Sequence, residues 1–140
     1  MSAKALVIDA NSLIRSVLGT RTRNLLEAYC ERVTFFVPAT ALAEAEEHLA
    51  VLATKRGDKP EAALCFLRAL AALTEVLREE TYVDFREEAL ELLQKRDPED
   101  WPVLAAALAV GCPIWSEDSD FFGCGVAVWT TDRVERFLRR

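Results

Sequence analysis

Acidic side chains follow two apolar segments of this sequence. Asp9 comes directly after the apolar run at 5–8, and Asp118 and Asp120 come shortly after the apolar run at 113–115. Carboxylates that lie close together repel each other at pH 7, and a bound divalent cation removes that repulsion. Oxygen ligands without a nearby Cys pair favour Mg²⁺ or Mn²⁺ over Zn²⁺. Such an ion keeps coordination positions for water and phosphate, so the pattern indicates metal-assisted chemistry on a phosphate group.

A glutamate of a predicted helix is a further candidate. Pro38 starts this helix, because proline is favoured in the first helical turn. Glu44 and Glu46 flank its apolar stripe on opposite sides, and Glu47 points away from the stripe. The spacing alone therefore leaves the choice between Glu44 and Glu46 open.

Each acid also has a structural explanation. Asp9 could cap the helix that follows it, Asp97 is a good N-cap before Pro98, and Asp100 could interact favourably with a helix dipole. Asp118 and Asp120 could be ordinary loop residues. Joint placement favours a shared site, because strand ends and helix starts meet at the carboxyl edge of a parallel sheet.

Four short apolar runs, rich in β-branched or aromatic residues, predict the strands of that sheet: 5–8, 34–37, 113–115 and 126–129. Strands that are apolar on both faces and separated by helices indicate a parallel sheet covered on both sides. The expected fold is a three-layer α/β/α sandwich with a mainly parallel central sheet of four to five strands.

Capping residues, prolines and glycines predict the intervening helices, at 38–57, 59–79, 84–96, 97–111 and 132–140. Asp84 and Asp132 are expected to begin two of them through capping boxes. The segment 62–73 is apolar almost all round, which predicts burial either in the core or against another chain.

Length and composition limit the class of protein. The chain has 140 residues, 51% of them hydrophobic, and a net charge of −6, which together exclude a disordered chain and one that holds nucleic acid by bulk charge. We expect a single domain over 1–140, free thiols at the four cysteines, no membrane span and a cytoplasmic location.

Four segments of the chain resemble, in order, the acidic motifs of the PIN-domain nucleases. They are VIDAN at 7–11, PATALAE at 38–44, DPEDWPVLAAAL at 97–108 and WSEDSDF at 115–121. The match spans essentially the whole chain and implies a PIN-like fold.

The resemblance implies roles for individual residues. The catalytic acids would be Asp9, Glu44, Asp100 and Asp118, which selects Glu44 over Glu46. One or two Mg²⁺ or Mn²⁺ ions would be held by Asp9, Asp100, Asp118 and Asp120. Accessory roles would fall to Asn11, Asp97 and Ser116.

The resemblance also implies that the protein is a metal-dependent ribonuclease. Such a protein can be the toxin of a toxin-antitoxin pair, as in the VapC-like group, with an antitoxin protein as partner. We expect a homodimer that buries part of the helix at 62–77. The alternative is a non-catalytic PIN-fold module that binds nucleic acid or protein. A phosphatase with an Asp nucleophile is disfavoured, because Asn11 stands where that chemistry generally needs a second Asp.

Some basic residues have two interpretations. His48 lies on the same flank as Glu44 and could approach the acids or fill surface space. Arg15, Arg21 and Arg23, together with the arginines near the C-terminus, could guide a phosphate backbone or form a solvated helical face.

Overall fold

The computed structural model describes residues 4–94 and 96–140. Its five strands all pair in parallel in the order β3-β2-β1-β4-β5. They are β1 (Lys4–Ile8), β2 (Val33–Pro38), β3 (Glu75–Leu77), β4 (Ile114–Trp115) and β5 (Val128–Trp129). The predicted α/β fold with a central sheet of four to five mainly parallel strands is confirmed.

Parallel neighbours require crossover connections, which the helices supply. The helices are α1 (Ala10–Leu18), α2 (Arg21–Tyr29), α3 (Ala39–Lys55), α4 (Pro60–Ala71), α5 (Glu79–Tyr82), α6 (Arg86–Leu93), α7 (Trp101–Val110) and α8 (Val134–Leu138). Helix α1 contacts α2, α3 and α4, helix α3 contacts α4, and α7 packs on β1, β2, α5 and α6. None of the described helices is long and apolar enough to cross a bilayer.

The segment predicted as one helix over 59–79 is instead α4 followed by β3. Strand β3 has three residues at the sheet edge, and Glu75 and Val76 are exposed, so its sequence carries little strand signal. Burial of the segment 62–73 was predicted either in the core or against another chain, and within α4 only Leu67 and Leu70 are buried in this chain. The exposed side of α4 carries Phe66, and Leu73 just beyond the helix is exposed as well.

Two predicted caps are absent. Asp84 lies inside the 3₁₀ turn Val83–Phe85, which joins α5 to α6 and leaves no free helix end for a capping box. Asp132 accepts a hydrogen bond from the Thr130 hydroxyl, and α8 begins without a side-chain cap. Lys95, in the predicted end of the helix at 84–96, and residues 1–3 of the predicted domain lie outside the described residues.

Other boundaries agree with the prediction. Asp97 caps the 3₁₀ turn Pro98–Asp100 by accepting the Glu99 N–H at 3.0 Å. Gly111 ends α7 with φ +69°, a left-handed conformation that glycine adopts without strain.

The core lies on both faces of the sheet. The aromatic rings of Phe35 and Trp115 pack at 5.9 Å between centroids, and both residues are buried. Five consecutive residues of α7, from Val103 to Ala107, are buried, because the helix lies between the sheet on one side and α5 and α6 on the other. A helix held this tightly fixes the position of the acids at its beginning.

Candidate functional site

Asp9 is fixed by the end of β1 and the start of α1. Its Oδ1 accepts the Ser12 N–H at 2.9 Å, which caps α1, and its Oδ2 accepts a hydrogen bond from the Ser116 hydroxyl. The side chain is 6% exposed. Burial raises the pKa of Asp9, while the bonds from Ser116 and Ser12 act in the opposite direction. Asp9 can therefore both cap α1 and belong to an acidic site.

Strand register brings Ser116 to Asp9. In the sheet Ile8 is paired with Trp115, so the residues that follow them lie side by side at the carboxyl edge. Ser116 Oγ also accepts the Asp118 N–H at 2.9 Å. One buried hydroxyl thus orients two acids that are far apart in sequence.

The loop after β4 holds two more acids. Asp118 Oδ1 accepts the Asp120 N–H at 2.9 Å and caps the 3₁₀ turn Ser119–Phe121. The Arg96 guanidinium donates to the carbonyl oxygens of Asp120 at 2.7 Å and Phe122 at 2.6 Å. Asp118 and Asp120 therefore lie on a loop whose backbone is held by hydrogen bonds from Asp118 to Phe122.

Asp100, Asp118 and Asp120 form a compact cluster, with one carboxylate oxygen of each within 4.8 Å of the others. The pKa of Asp100 is raised to about 7, mainly by burial and also by the charges of Asp118, Asp97, Asp120 and Asp9. Asp100 Oδ2 is buried and has no hydrogen-bond partner among the described residues. An oxygen that is desolvated, unpartnered and surrounded by carboxylates fits a hard divalent cation.

A cavity of about 640 Å³ opens over these acids. Its wall includes most of the residues singled out in the sequence, namely Asp9, Asn11, Glu44, His48, Asp97, Asp100 and Asp118. Glu46 is absent from the wall as far as the structure describes it, so the helix geometry favours Glu44. Asp120 belongs to the acidic cluster but is not among the described residues of the cavity wall. Ser116 is fully buried and reaches the site through its bond to Asp9.

The cavity wall also contains residues that the sequence reasoning missed. Thr40 and Glu47 lie on the same face of α3 as Glu44, at helical spacings of four and three residues that could have identified them. Trp101 forms part of the wall, with the Arg86 guanidinium 5.2 Å from its ring centroid. The contact between Trp101 and Arg86 depends on tertiary packing and has no local sequence signal.

Solved structures with a similar fold come from several organisms. The chain matches PAE2754 from Pyrobaculum aerophilum with a TM-score of 0.74 and 16% identity, over 98% of this chain and 90% of that one. It matches VapBC2 from Rickettsia felis, bound to a DNA fragment from their promoter, with a TM-score of 0.68 and 14% identity, over 90% and 98%. A toxin-antitoxin complex from Klebsiella pneumoniae matches with a TM-score of 0.61 and 20% identity, over 90% and 97%.

At sequence identities of 14% to 20%, these structural matches show similarity of fold alone. No curated protein sequence matches the chain significantly. A family model described as the PIN domain matches residues 7–139, which is nearly the whole chain. The protein therefore belongs to the PIN domain family.

Proposed function

We propose that this protein is a metal-dependent endoribonuclease that hydrolyses phosphodiester bonds of RNA. The observation that carries the proposal is the convergence of carboxylates from separate segments on one cavity, around a buried Asp100 oxygen that lacks a partner. A structural role would not require these acids to remain close together against their mutual repulsion.

The donor set supports Mg²⁺ or Mn²⁺ as one or two bound ions. Asp100, Asp118 and Asp120 offer the three clustered oxygens, and Asp9 lies close enough for its charge to raise the Asp100 pKa. When bound, the metal would lower the pKa of an attacking water, polarise the phosphate and offset the charge on the leaving oxygen.

The protein's own residues would orient the reactants. Glu44 is exposed on the cavity wall, where its carboxylate is suited to hold the attacking water and accept its proton. Asn11 is exposed in the first turn of α1, where its amide is suited to donate to a phosphate oxygen. Water would bond to phosphorus as the bond to the 3′ oxygen breaks, leaving a 5′-phosphate and a 3′-hydroxyl. Ser116 and Asp97 would keep the acids and the start of α7 in position.

Partners follow from the family and the neighbours. The toxin-antitoxin complex from Klebsiella pneumoniae among the similar folds supports an antitoxin protein as partner and a toxin role for this chain. The exposed apolar side of α4, with Phe66 39% and Leu73 36% exposed, supports a homodimer formed through this helix.

Cleavage of a mixed pool of single-stranded RNA tests the proposal. The wild-type chain, Asp9→Asn, Asp100→Asn and the control Asp84→Asn are compared with Mn²⁺, with Mg²⁺ and with EDTA. We expect metal-dependent cleavage by wild type and Asp84→Asn, and loss of at least about 100-fold in the two site variants. Equal cleavage by all four proteins would place the activity elsewhere, and RNA binding without cleavage would support the non-catalytic module.

A further inference from the structure

A second cleft lies beside the acidic cavity. Its volume is about 590 Å³, and it is enclosed by the end of α1, the start of α2 and the loops after β4 and β5. The polar side chains that line it are Arg15, Thr20, Arg21, Thr22, Glu117, Thr131 and Asp132. We refer to it as the α2 cleft.

The start of α2 presents unpaired donors to this cleft. Thr20 is the N-cap residue and makes no side-chain capping bond, and the first turn of the helix contains no acid. The first N–H groups of a helix have no partner within the helix, and the helix dipole favours negative charge at this end. Two exposed arginines, Arg15 and Arg21, line the same cleft and can donate to phosphate oxygens.

Thr22 provides an independent observation. This residue is only 7% exposed, lines the cleft, and its hydroxyl has no hydrogen-bond partner among the described residues. The oxygen is not one of the fully enclosed unpartnered atoms in the described part of the chain, so it is open to a ligand or to solvent. A buried hydroxyl normally has a partner, and a bound oxygen ligand would supply one.

The two acids in the cleft are already engaged. Glu117 Oε1 accepts the Thr131 N–H at 2.7 Å, and Asp132 accepts a hydrogen bond from the Thr130 hydroxyl. That bond lowers the pKa of Asp132, and the charges of Arg133 and Arg21 act in the same direction. The carboxylates therefore have local partners, while Arg15, Thr22 and the start of α2 remain available to an anion.

The α2 cleft adjoins the acidic cavity. Glu117 lies between Ser116 and Asp118 in the loop after β4, and α1 begins at the cavity and ends at the cleft. Six residues separate Asp9 from Arg15, or about 9 Å along the helix axis. Two to three nucleotides of a stacked strand span this distance at about 3.4 Å each.

We infer that the α2 cleft binds a backbone phosphate of the RNA strand, about two to three nucleotides from the bond that is cleaved in the acidic cavity. This inference rests on the proposed function for its substrate class. The start of α2 and the Thr22 hydroxyl would hold the phosphate oxygens, and Arg15 and Arg21 would neutralise their charge. Contacts of this kind fix the register of the strand without selecting its sequence.

Binding of a short, fluorescently labelled single-stranded RNA, measured by anisotropy in EDTA, tests the inference without cleavage. The variants are Arg15→Gln, Arg21→Gln and Thr22→Val, and the control is Arg68→Gln, which removes an exposed arginine of α4 outside the cleft. We expect Kd to rise about 5- to 10-fold at low salt for each cleft variant, since a charge-assisted contact contributes about 1 kcal/mol or more. Each arginine variant should also reduce the slope of log K against log salt by about 0.7.

Amide NMR spectra provide a second measurement that does not depend on side-chain substitution. Addition of the same RNA should shift the backbone N–H signals of Arg21, Thr22 and Arg23, and Thr22→Val should reduce those shifts while leaving the rest of the spectrum folded. Shifts with inorganic phosphate and none with RNA would overturn the assignment to the substrate strand.

The results separate this inference from the proposed activity. Wild-type cleavage with Mn²⁺ combined with unchanged Kd and salt slope in all three cleft variants would overturn the α2 cleft and leave the nuclease intact. Weaker RNA binding by the cleft variants of a protein that does not cleave would support the cleft alone. Absence of RNA binding by the wild type would overturn the inference.

Discussion

Ser116 donates a hydrogen bond to the carboxylate of Asp9, 107 residues earlier in the chain, and accepts one from the Asp118 N–H. The contact follows from the parallel register of β1 and β4, which aligns the residues just after each strand. A single hydroxyl therefore sets the distance between two acids of the cavity.

Ser116→Ala should weaken the site more than the fold. The substitution leaves the Asp118 N–H without its acceptor and removes a bond that lowers the pKa of Asp9. We expect RNA cleavage and Mn²⁺ affinity to fall about 10- to 100-fold, as for other residues that orient metal ligands. Kinetics and calorimetry measure the two losses. The control is Ser119→Ala in the same loop, whose side chain is exposed and which should behave as wild type.

Glu44 and Glu46 form a matched pair, since they lie two residues apart on α3 and only Glu44 is on the described cavity wall. Glu44→Gln should lower kcat by about 10²- to 10⁴-fold, because the amide cannot accept a proton from water. Glu46→Gln should change kcat less than about twofold. Equal effects, or a larger loss for Glu46→Gln, would contradict the assigned orientation of α3.

Arg96 should act through the geometry of its guanidinium. Its two bonds to the carbonyl oxygens of Asp120 and Phe122 hold the loop that carries the acids. Arg96→Gln should reduce Mn²⁺ affinity about 10-fold. Arg96→Lys should recover little of it, because both bonds come from one terminal guanidinium nitrogen, a position that the shorter lysine side chain does not reach in the same geometry. Full recovery by Arg96→Lys would show that charge alone matters. Arg56→Gln, at the end of α3, serves as the control in titration calorimetry.

The sequence was sufficient to predict β1, β2, β4 and β5, because each lies in a continuous apolar run rich in β-branched or aromatic residues, even though β5 is only half-buried at the sheet edge. It was insufficient for β3. Glu75, Val76 and Leu77 pair only with β2 at the sheet edge, and that pairing is a tertiary contact without local periodicity.

The acids of the site were predictable to different degrees. Asp9 and Asp118 follow strands, so the rule that sites lie at the carboxyl ends of parallel strands was enough to locate them. The choice between Glu44 and Glu46 depended on how α3 rotates against the sheet, which spacing does not determine. The two hydrogen bonds from the Arg96 guanidinium reach carbonyl oxygens 24 and 26 residues later in the chain. Because both acceptors are backbone atoms, no residue pattern indicates these bonds.

The apolar side of α4 predicts association between copies of the chain. Phe66 is exposed on this helix, with the Arg23 guanidinium 5.1 Å from its ring centroid. Phe66→Lys should shift the protein from dimer to monomer in sedimentation equilibrium, because an unpaired positive charge beside Arg23 would be buried at the interface. Val83→Lys is the control, since Val83 is similarly exposed but lies in the 3₁₀ turn before α6. A wild-type monomer at all concentrations would contradict the dimer.

Asp100 predicts an unusual pH dependence of stability in the metal-free protein. Its pKa is about 7 in the folded state and 3.8 as the reference value, so the folded state binds more protons between these values. The contribution of Asp100 to stability is therefore complete below about pH 3.8 and is lost as the pH rises through about 7. Because the side chain is only half-buried, solvent screening reduces the effect to about 1 to 2 kcal/mol.

Asp100→Asn should remove this loss. In EDTA at pH 8 the variant should melt a few degrees above the wild type, and at pH 4 the two should melt together. Saturating Mn²⁺ should reverse the order at pH 8, because the ion stabilises only the protein that retains the carboxylate. Scanning calorimetry with and without Mn²⁺ measures all three conditions, with the exposed Asp84→Asn as control. A variant less stable than the wild type in EDTA at pH 8 would mean that the Asp100 carboxylate is compensated by contacts other than a metal ion.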